Sequence, residues 1–80
     1  GNLFICLSRL DDAIRDYSVA ILVSPWNAAN YEDRAQAYLE KKEYSKVIAD
    51  ATKAIELDKS IVRAYKYRAA AWQAINKPIQ

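Results

Sequence analysis

The chain matches itself when it is displaced by 34 residues, and this internal period constrains the fold more than any other feature. Small residues meet small residues, as at Ala20 and Ala54, and acidic residues recur in the same way, as at Asp16 and Asp50. Three aromatic residues also line up in series: Phe4, Tyr38 and Trp72. Such a period is typical of arrays in which each repeat is one supersecondary unit that buries its apolar face against its neighbours.

Each repeat is predicted to form two amphipathic helices. In the segment 28–42, one helical face collects residues spaced by three and four positions: Tyr31, Arg34 (through its stem), Ala35, Tyr38 and Leu39. The segment 45–58 shows the same spacing. We expect Pro25 to stop one helix, and Asn27 and Ser45 to cap the helices that follow them.

The residues at the repeating positions resemble the pattern of the tetratricopeptide repeat. The resemblance covers the whole chain and is carried by these residues: Gly1, Phe4, Ala13, Tyr17, Ala20 and Pro25 in the first unit, Tyr31, Ala35, Tyr38, Tyr44 and Ala54 in the second, and Tyr65, Ala69 and Trp72 in the third. It implies an all-α fold of antiparallel helix pairs in a right-handed superhelical solenoid. We expect about five helices, with a partial first repeat (1–27), a complete second repeat (28–61) and the first helix of a third (62–80).

Composition excludes several classes of function. The chain has one Cys and no His, which leaves neither an internal disulfide nor a zinc motif. Its net charge of +2, without a basic run, gives no reason to expect nucleic acid. No apolar run reaches the length of a membrane span. We therefore expect no enzyme activity, catalytic group, cofactor, metal or membrane partner, and a cytoplasmic location, with the nucleus as an alternative.

The resemblance implies that the first helices of successive repeats line a concave groove for a protein or peptide partner. Periodicity then predicts which side chains point into it: Asn2, Glu32, Asp33, Gln36, Arg63, Lys66, Tyr67 and Ala70. Arg34 is expected to lean toward the neighbouring helix. The aromatic residues Tyr38, Tyr65 and Trp72 are expected in the core.

Part of the sequence is similar to the tetratricopeptide domains of Hsp90 and Hsp70 co-chaperones, including protein phosphatase five. Those domains hold an acidic C-terminal peptide with a clamp of Lys, Asn and Arg side chains. By this resemblance Asn2 keeps its clamp position and Arg63 replaces Lys, but Asp33 replaces Asn and Tyr67 replaces Arg. An anion at this position repels the peptide carboxylate that an amide would attract, which weakens the binding free energy by roughly 2–4 kcal/mol. We expect the clamp to be broken.

A second resemblance competes with the first. The segment 31–71 is similar to the tetratricopeptide domain of scaffold proteins that also carry CS and SGS domains in plant disease resistance, in which an Asp is often followed by Arg-Ala-Gln-Ala, as Asp33 is here. This branch implies a co-chaperone adaptor that self-associates and contacts other proteins. We favour it over the phosphatase branch because Asp33 fits the one and contradicts the other.

Two further interpretations stay open. The chain is alternatively a targeting domain of a larger enzyme, such as a phosphatase, that binds chaperone C-termini. It is otherwise a structural array that forms homodimers or stacks end to end, because apolar residues are expected to be exposed at both ends: Leu3, Ile5 and Leu7 at one, and Trp72, Ile75 and Ile79 at the other.

Overall fold

The computed structural model describes the backbone of residues 2–76 and the side chains of residues 9–76. Over this range the chain forms four helices: α1 (Asn2–Val23), α2 (Ala28–Glu40), α3 (Tyr44–Leu57) and α4 (Val62–Asn76). Helix α2 packs between α1 and α3, and α4 packs on α3 and also contacts α2. The predicted all-α repeat fold is confirmed.

The expectation of five helices is wrong, because α1 runs without a break from Asn2 to Val23. The repeat aligns residues 7–9 with the turn between α2 and α3, but nothing in the sequence of this stretch stops a helix. A separate helix over residues 2–6 would be too short to be stable by itself. A continuous helix keeps the backbone hydrogen bonds of this region paired.

The helix ends follow local chemistry at two of the three sites where the sequence predicts it. Helix α1 ends just before Pro25, and the Asn27 side chain accepts a hydrogen bond of 3.0 Å from the backbone N–H of Ala29. The expectation that Ser45 caps α3 is wrong. Helix α3 begins one residue earlier, at Tyr44, with Glu43 in the cap position and no side-chain cap.

The turn after α2 places Lys42 in the left-handed region, at φ 65°. The N–H of Glu43 bonds to the carbonyl of Tyr38 at 2.9 Å, and the N–H of Lys42 bonds to that of Leu39 at 3.0 Å. This pair of bonds is the Schellman ending, which satisfies helix carbonyls that have no partner within the helix. The sharp reversal brings α3 back along α2.

Small side chains form most of the core. Those that are fully buried are Ala35, Ala51, Ala54, Ala64 and Ala71, and Val47 is the largest fully buried side chain. Because a methyl group takes little space, the helix axes approach closely at these positions and the larger residues pack around them. The close approach depends on small residues recurring at fixed positions.

Arg34 of α2 joins three helices through a single guanidinium group. Its Nε and Nη2 atoms donate to the two carboxylate oxygens of Asp50 in α3, each at 2.7 Å. Its Nη1 atom donates to Ser18 Oγ in α1 at 3.0 Å. Tyr31 and Tyr38 lie with their ring centres 6.0 and 5.9 Å from the guanidinium carbon. The hydrogen bonds that Arg34 donates to Asp50 raise the pKa of the guanidinium above its ordinary value.

The same arrangement recurs 34 residues later, but only in part. Arg68 of α4 donates to Thr52 Oγ1 in α3 at 3.5 Å, as Arg34 does to Ser18 in α1. Its guanidinium carbon lies 5.5 Å from the centre of the Tyr65 ring. Among the side chains of residues 9–76, no carboxylate forms an ion pair with Arg68.

The expectation that Tyr65 and Trp72 lie in the core is wrong, whereas Tyr38 does pack against the core. Tyr65 is 42% exposed and Trp72 is 48% exposed, and Ile75 is exposed as predicted. The physical reason is that α3 covers this face on α2, while no described helix covers the equivalent face on α4. Leu3, Ile5, Leu7 and Ile79 lie outside the described side chains.

Replacing Asp50 by Asn should lower the free energy of unfolding by about 2 kcal/mol. The change keeps the volume but leaves a mostly buried guanidinium without its counter-ion; the cost falls below that of a fully buried pair because Arg34 retains contact with water. Urea denaturation followed by circular dichroism measures the change. Asp16→Asn, at the exposed equivalent position, is the matched control and should change stability by less than about 0.5 kcal/mol. Equal losses in both variants would contradict a special role for Asp50.

Candidate functional site

Helix α2 presents a mostly acidic stripe on the side turned away from its buried residues Tyr31 and Ala35. Glu32 and Asp33 are half-buried there, and Gln36 and Glu40 are exposed. Asp33, Gln36 and Glu40 follow one another at spacings of three and four, and Glu32 lies four residues before Gln36, which keeps all four on one face of the helix. Tyr31 and Ala35 belong to the buried core cluster, so the stripe is the side of α2 that retains contact with water.

Helix α4 lies beside α2 and presents the residues that match this stripe in the next repeat. Arg63 and Lys66 are exposed, Tyr67 is half-buried against the core, and Ala70 is half-buried. We call the two stripes together the α2–α4 surface: Glu32, Asp33, Gln36 and Glu40 of α2, with Arg63, Lys66, Tyr67 and Ala70 of α4. One side of this surface is acidic and the other is basic.

Tyr67 stands where the two stripes meet. Burial raises the pKa of its phenol above the ordinary value, and the charges of Glu32, Asp33 and Glu40 raise it further, while Arg63 acts against them. The phenol therefore lies close enough to charged groups of both α2 and α4 for them to act on its pKa. Tyr67 provides an apolar ring with a polar tip between opposite charges, a combination that is common at protein interfaces.

The charges of the α2–α4 surface are not paired with one another. Among the side chains of residues 9–76, neither Asp33 nor Arg63 nor Lys66 takes part in an ion pair. In this part of the molecule no salt bridge between the two stripes neutralises Asp33. The carboxylate and the two cations are thus available to groups from outside the chain.

Of the eight residues that the sequence predicts for the groove, Glu32, Asp33 and Arg63 lie close enough to Tyr67 for their charges to act on its phenol. Gln36, Lys66 and Ala70 lie on the same two helices, and their place in a groove stays a prediction. The side chain of the eighth, Asn2, lies outside the described residues. Glu40, which periodicity also places in this stripe, is close enough to influence the pKa of Tyr67. Its place in the same helical stripe, four residues after Gln36, is the signal that identifies it.

The polar cluster around Arg34 is the feature that sequence reasoning did not find as a unit. Asp50 and Ser18 contact Arg34 from two different helices. Ser18 matches Thr52 at the 34-residue period, and Asp16 matches Asp50. These two matches are the signal in the sequence that marks Ser18 and Asp50 as repeated positions. Only the packing of the three helices shows that both residues contact Arg34. This cluster faces away from the α2–α4 surface and holds α2 in place.

No helix within the described residues is long and apolar enough to cross a membrane. In the same part of the chain, no three acidic or thiol side chains are grouped so that they could hold a metal ion. The chemistry offered by the α2–α4 surface is that of binding: anionic acceptors, cationic donors and a phenol ring.

Three known proteins show what the chain is similar to. It is 45% identical over 77 residues to serine/threonine-protein phosphatase 5 of Mus musculus, covering 96% of this chain and 15% of that protein. It is 49% identical over 55 residues to the protein SGT1 homolog of Oryza sativa, covering 69% of this chain and 15% of that protein. It is 38% identical over 78 residues to small glutamine-rich tetratricopeptide repeat-containing protein 2 of Saccharomyces cerevisiae, covering 98% of this chain and 22% of that protein.

No protein-family model matches the chain. The chain spans between 15% and 22% of the length of these three relatives. Most of each relative therefore lies beyond the part that this chain resembles.

The phenol of Tyr67 should ionise above the ordinary tyrosine pKa of about 10, because burial and nearby carboxylates both oppose the phenolate. Since the folded pKa is the higher one, Tyr67 stabilises the fold below the unfolded pKa, and this contribution is lost as the pH rises through the folded pKa. The ultraviolet absorbance of the phenolate during a pH titration measures the midpoint, with Tyr67→Phe as the difference control. Glu32→Gln should lower the midpoint only in part, because burial is the larger cause. A midpoint at or below the ordinary tyrosine pKa would contradict the burial of Tyr67 beside these carboxylates.

Proposed function

We propose that this chain, a helical repeat segment of the tetratricopeptide type, is a non-catalytic module that binds a protein partner through the α2–α4 surface. The observation that supports this most is the meeting of unpaired opposite charges around a half-buried tyrosine. A helical repeat array provides a rigid support for such a surface, because each helix is fixed by its neighbours.

The charges on the two helices define the chemistry of the partner. Glu32, Asp33 and Glu40 favour a basic group above α2, while Arg63 and Lys66 favour an acidic group above α4. Packed helices lie about 10 Å apart, which an extended peptide spans in about three residues. We propose an amphipathic or extended segment that carries a cation and an anion at this spacing, with an apolar side chain between them against the phenol ring.

The surface argues against an acidic C-terminal peptide as the ligand. Asp33 would face the peptide carboxylates at the position where the co-chaperone resemblance implies a neutral amide donor. Tyr67 replaces a guanidinium that would make two-pronged contacts with a carboxylate. We propose that the module serves an adaptor of the co-chaperone kind in the cytoplasm, rather than a targeting domain that captures chaperone tails.

A selection from a displayed peptide library tests the binding surface itself. Peptides enriched on the native chain should pair basic and acidic residues at short spacing, and they should lose binding at least about tenfold to the double variant Asp33→Arg with Arg63→Glu, because both charges are reversed. Titration calorimetry on the enriched peptides measures the loss. Lys53→Glu, an exposed charge reversal on α3, is the matched control and should bind normally. Peptides that bind the reversed variant equally well would overturn the proposal.

Calorimetry with a peptide ending in Glu-Glu-Val-Asp separates the adaptor from the tail-binding alternative. The native chain should give no measurable binding at micromolar concentrations. The double variant Asp33→Asn with Tyr67→Arg should gain at least about tenfold in affinity, because it replaces an anion by a donor and adds a guanidinium. Micromolar binding to the native chain would favour the tail-binding alternative instead.

A further inference from the structure

A hollow of about 480 Å³ lies at the edge of the molecule where α2 and α4 begin and α3 ends. We call it the turn hollow, because its walls come from the turn between α1 and α2 and from the turn between α3 and α4. Its lining includes Trp26, Asn27, Leu57, Asp58 and Ile61, with two alanines of α2 beside them. It shares no residue with the α2–α4 surface.

The turn hollow lies between repeats that are both present in the chain. One wall carries Trp26, which precedes α2, and the other carries Asp58 and Ile61, which lie between α3 and α4. In a helical repeat array each repeat contacts only its neighbours, so a further repeat would stack on α1 or on α4. Such a repeat would lie beside the hollow and would not fill it.

Trp26 is the most exposed large side chain of the hollow, at 70%. The position 34 residues later holds Ser60, so the packing of the repeats does not require an aromatic residue here. Tryptophan is enriched at protein interfaces, where a partner covers its ring. The face of an indole ring also attracts a cation that lies within about 6 Å of its centre.

The charge of the turn hollow favours a cation. The positive end of α2 and the negative end of α3 each amount to about half an elementary charge and largely cancel. Asp58 then leaves an excess of negative charge, and among the side chains of residues 9–76 it forms no ion pair. The last turn of α3 contains no basic residue, so its free carbonyl groups also lack a cation.

The hydrogen bonds of Asp58 distinguish between the two common basic side chains. Its Oδ1 atom accepts from the Ser60 hydroxyl at 2.6 Å and from the Ser60 N–H at 3.0 Å. Both bonds, the hydroxyl first, hold the pKa of Asp58 below its ordinary value, so the carboxylate is charged at neutral pH. Only Oδ2 is left among these contacts. A single oxygen suits the compact ammonium of lysine better than the two-pronged guanidinium of arginine.

We propose that the turn hollow binds a lysine side chain of a protein partner, with the stem on Leu57 and Ile61 and the ammonium between the Trp26 ring and Asp58 Oδ2. A peptide segment is the expected source, and not a free amine, because Leu22 and Val23 shortly before Trp26 are 81% and 70% exposed. Apolar residues that flank the lysine can cover them. The inference goes beyond the α2–α4 surface and does not rest on it.

Magnetic resonance of the ¹⁵N-labelled chain tests the inference through the indole N–H of Trp26. The chain has two tryptophans, and Trp72→Phe identifies the resonance of Trp26. The probe is acetyl-Leu-Ala-Lys-Ala-Leu-amide, which should shift this resonance saturably at about 1 mM. The same peptide with norleucine for lysine should bind about fivefold more weakly, because it keeps the stem and loses the charge. The arginine peptide should bind about threefold more weakly, and the glutamate peptide should cause no shift.

Asp58→Asn is the decisive variant, because it keeps an acceptor for Ser60 and removes the charge. It should bind the lysine peptide about fivefold more weakly and the norleucine peptide as the native chain does. Glu56→Gln, which neutralises an exposed carboxylate outside the hollow, is the matched control and should bind both peptides normally. Asp33→Arg should also bind them normally, so a failure of the α2–α4 proposal is distinguishable from a failure of this one.

Four results would overturn the inference. The first is the absence of a saturable shift of the Trp26 resonance up to about 20 mM lysine peptide. The second is equal binding of the norleucine peptide, which would make the hollow merely apolar. The third is binding that is insensitive to Asp58→Asn. The fourth is preferential binding of the arginine peptide or of the glutamate peptide, which would assign the hollow to a different side chain.

Discussion

The contact between Arg34 and Asp50 is the interaction on which the arrangement of the helices depends. One guanidinium fills three roles: it pairs with a carboxylate on α3, donates to a hydroxyl on α1 and lies beside two tyrosine rings of its own helix. A core made largely of alanine offers little shape by which to fix the rotation of a helix. The hydrogen bonds of the planar guanidinium group fix the rotation of α2, because they form only at a particular register between α2 and the neighbouring helices.

The orientation of α2 determines the character of the α2–α4 surface. With Arg34 directed toward α1 and α3, Asp33 turns about 100° around the helix to the other side. Glu32 and Glu40 follow it, and α4 brings Arg63 and Tyr67 alongside. The mixed charge of the α2–α4 surface is thus a consequence of the packing on the opposite face. Arg34, which is paired within the fold, and Asp33, which forms no ion pair with any described side chain, are adjacent in the sequence but have separate environments.

Repetition explains both the closed and the open parts of the molecule. Within the array, every first helix needs a second helix on each side, and α2 has both, whereas α4 has only α3 among the described helices. Exposure of Tyr65 and Trp72 is therefore a property of position in the array and not of the residue type. The same reasoning applies to Asp16, which has the sequence context of Asp50 but lacks its neighbour.

The sequence by itself determined the helical class, the 34-residue period and the stripe of residues on each helix, because all three follow from spacing along the chain. It also predicted that Asp33 and Arg34 point in different directions. Only the tertiary structure decided that α1 is continuous, that Arg34 meets Asp50 and Ser18, and that the aromatic residues of α4 are exposed. The physical reason is that burial and ion pairing depend on which helix lies opposite. Periodicity specifies the faces of a helix, but neighbours specify what each face contacts.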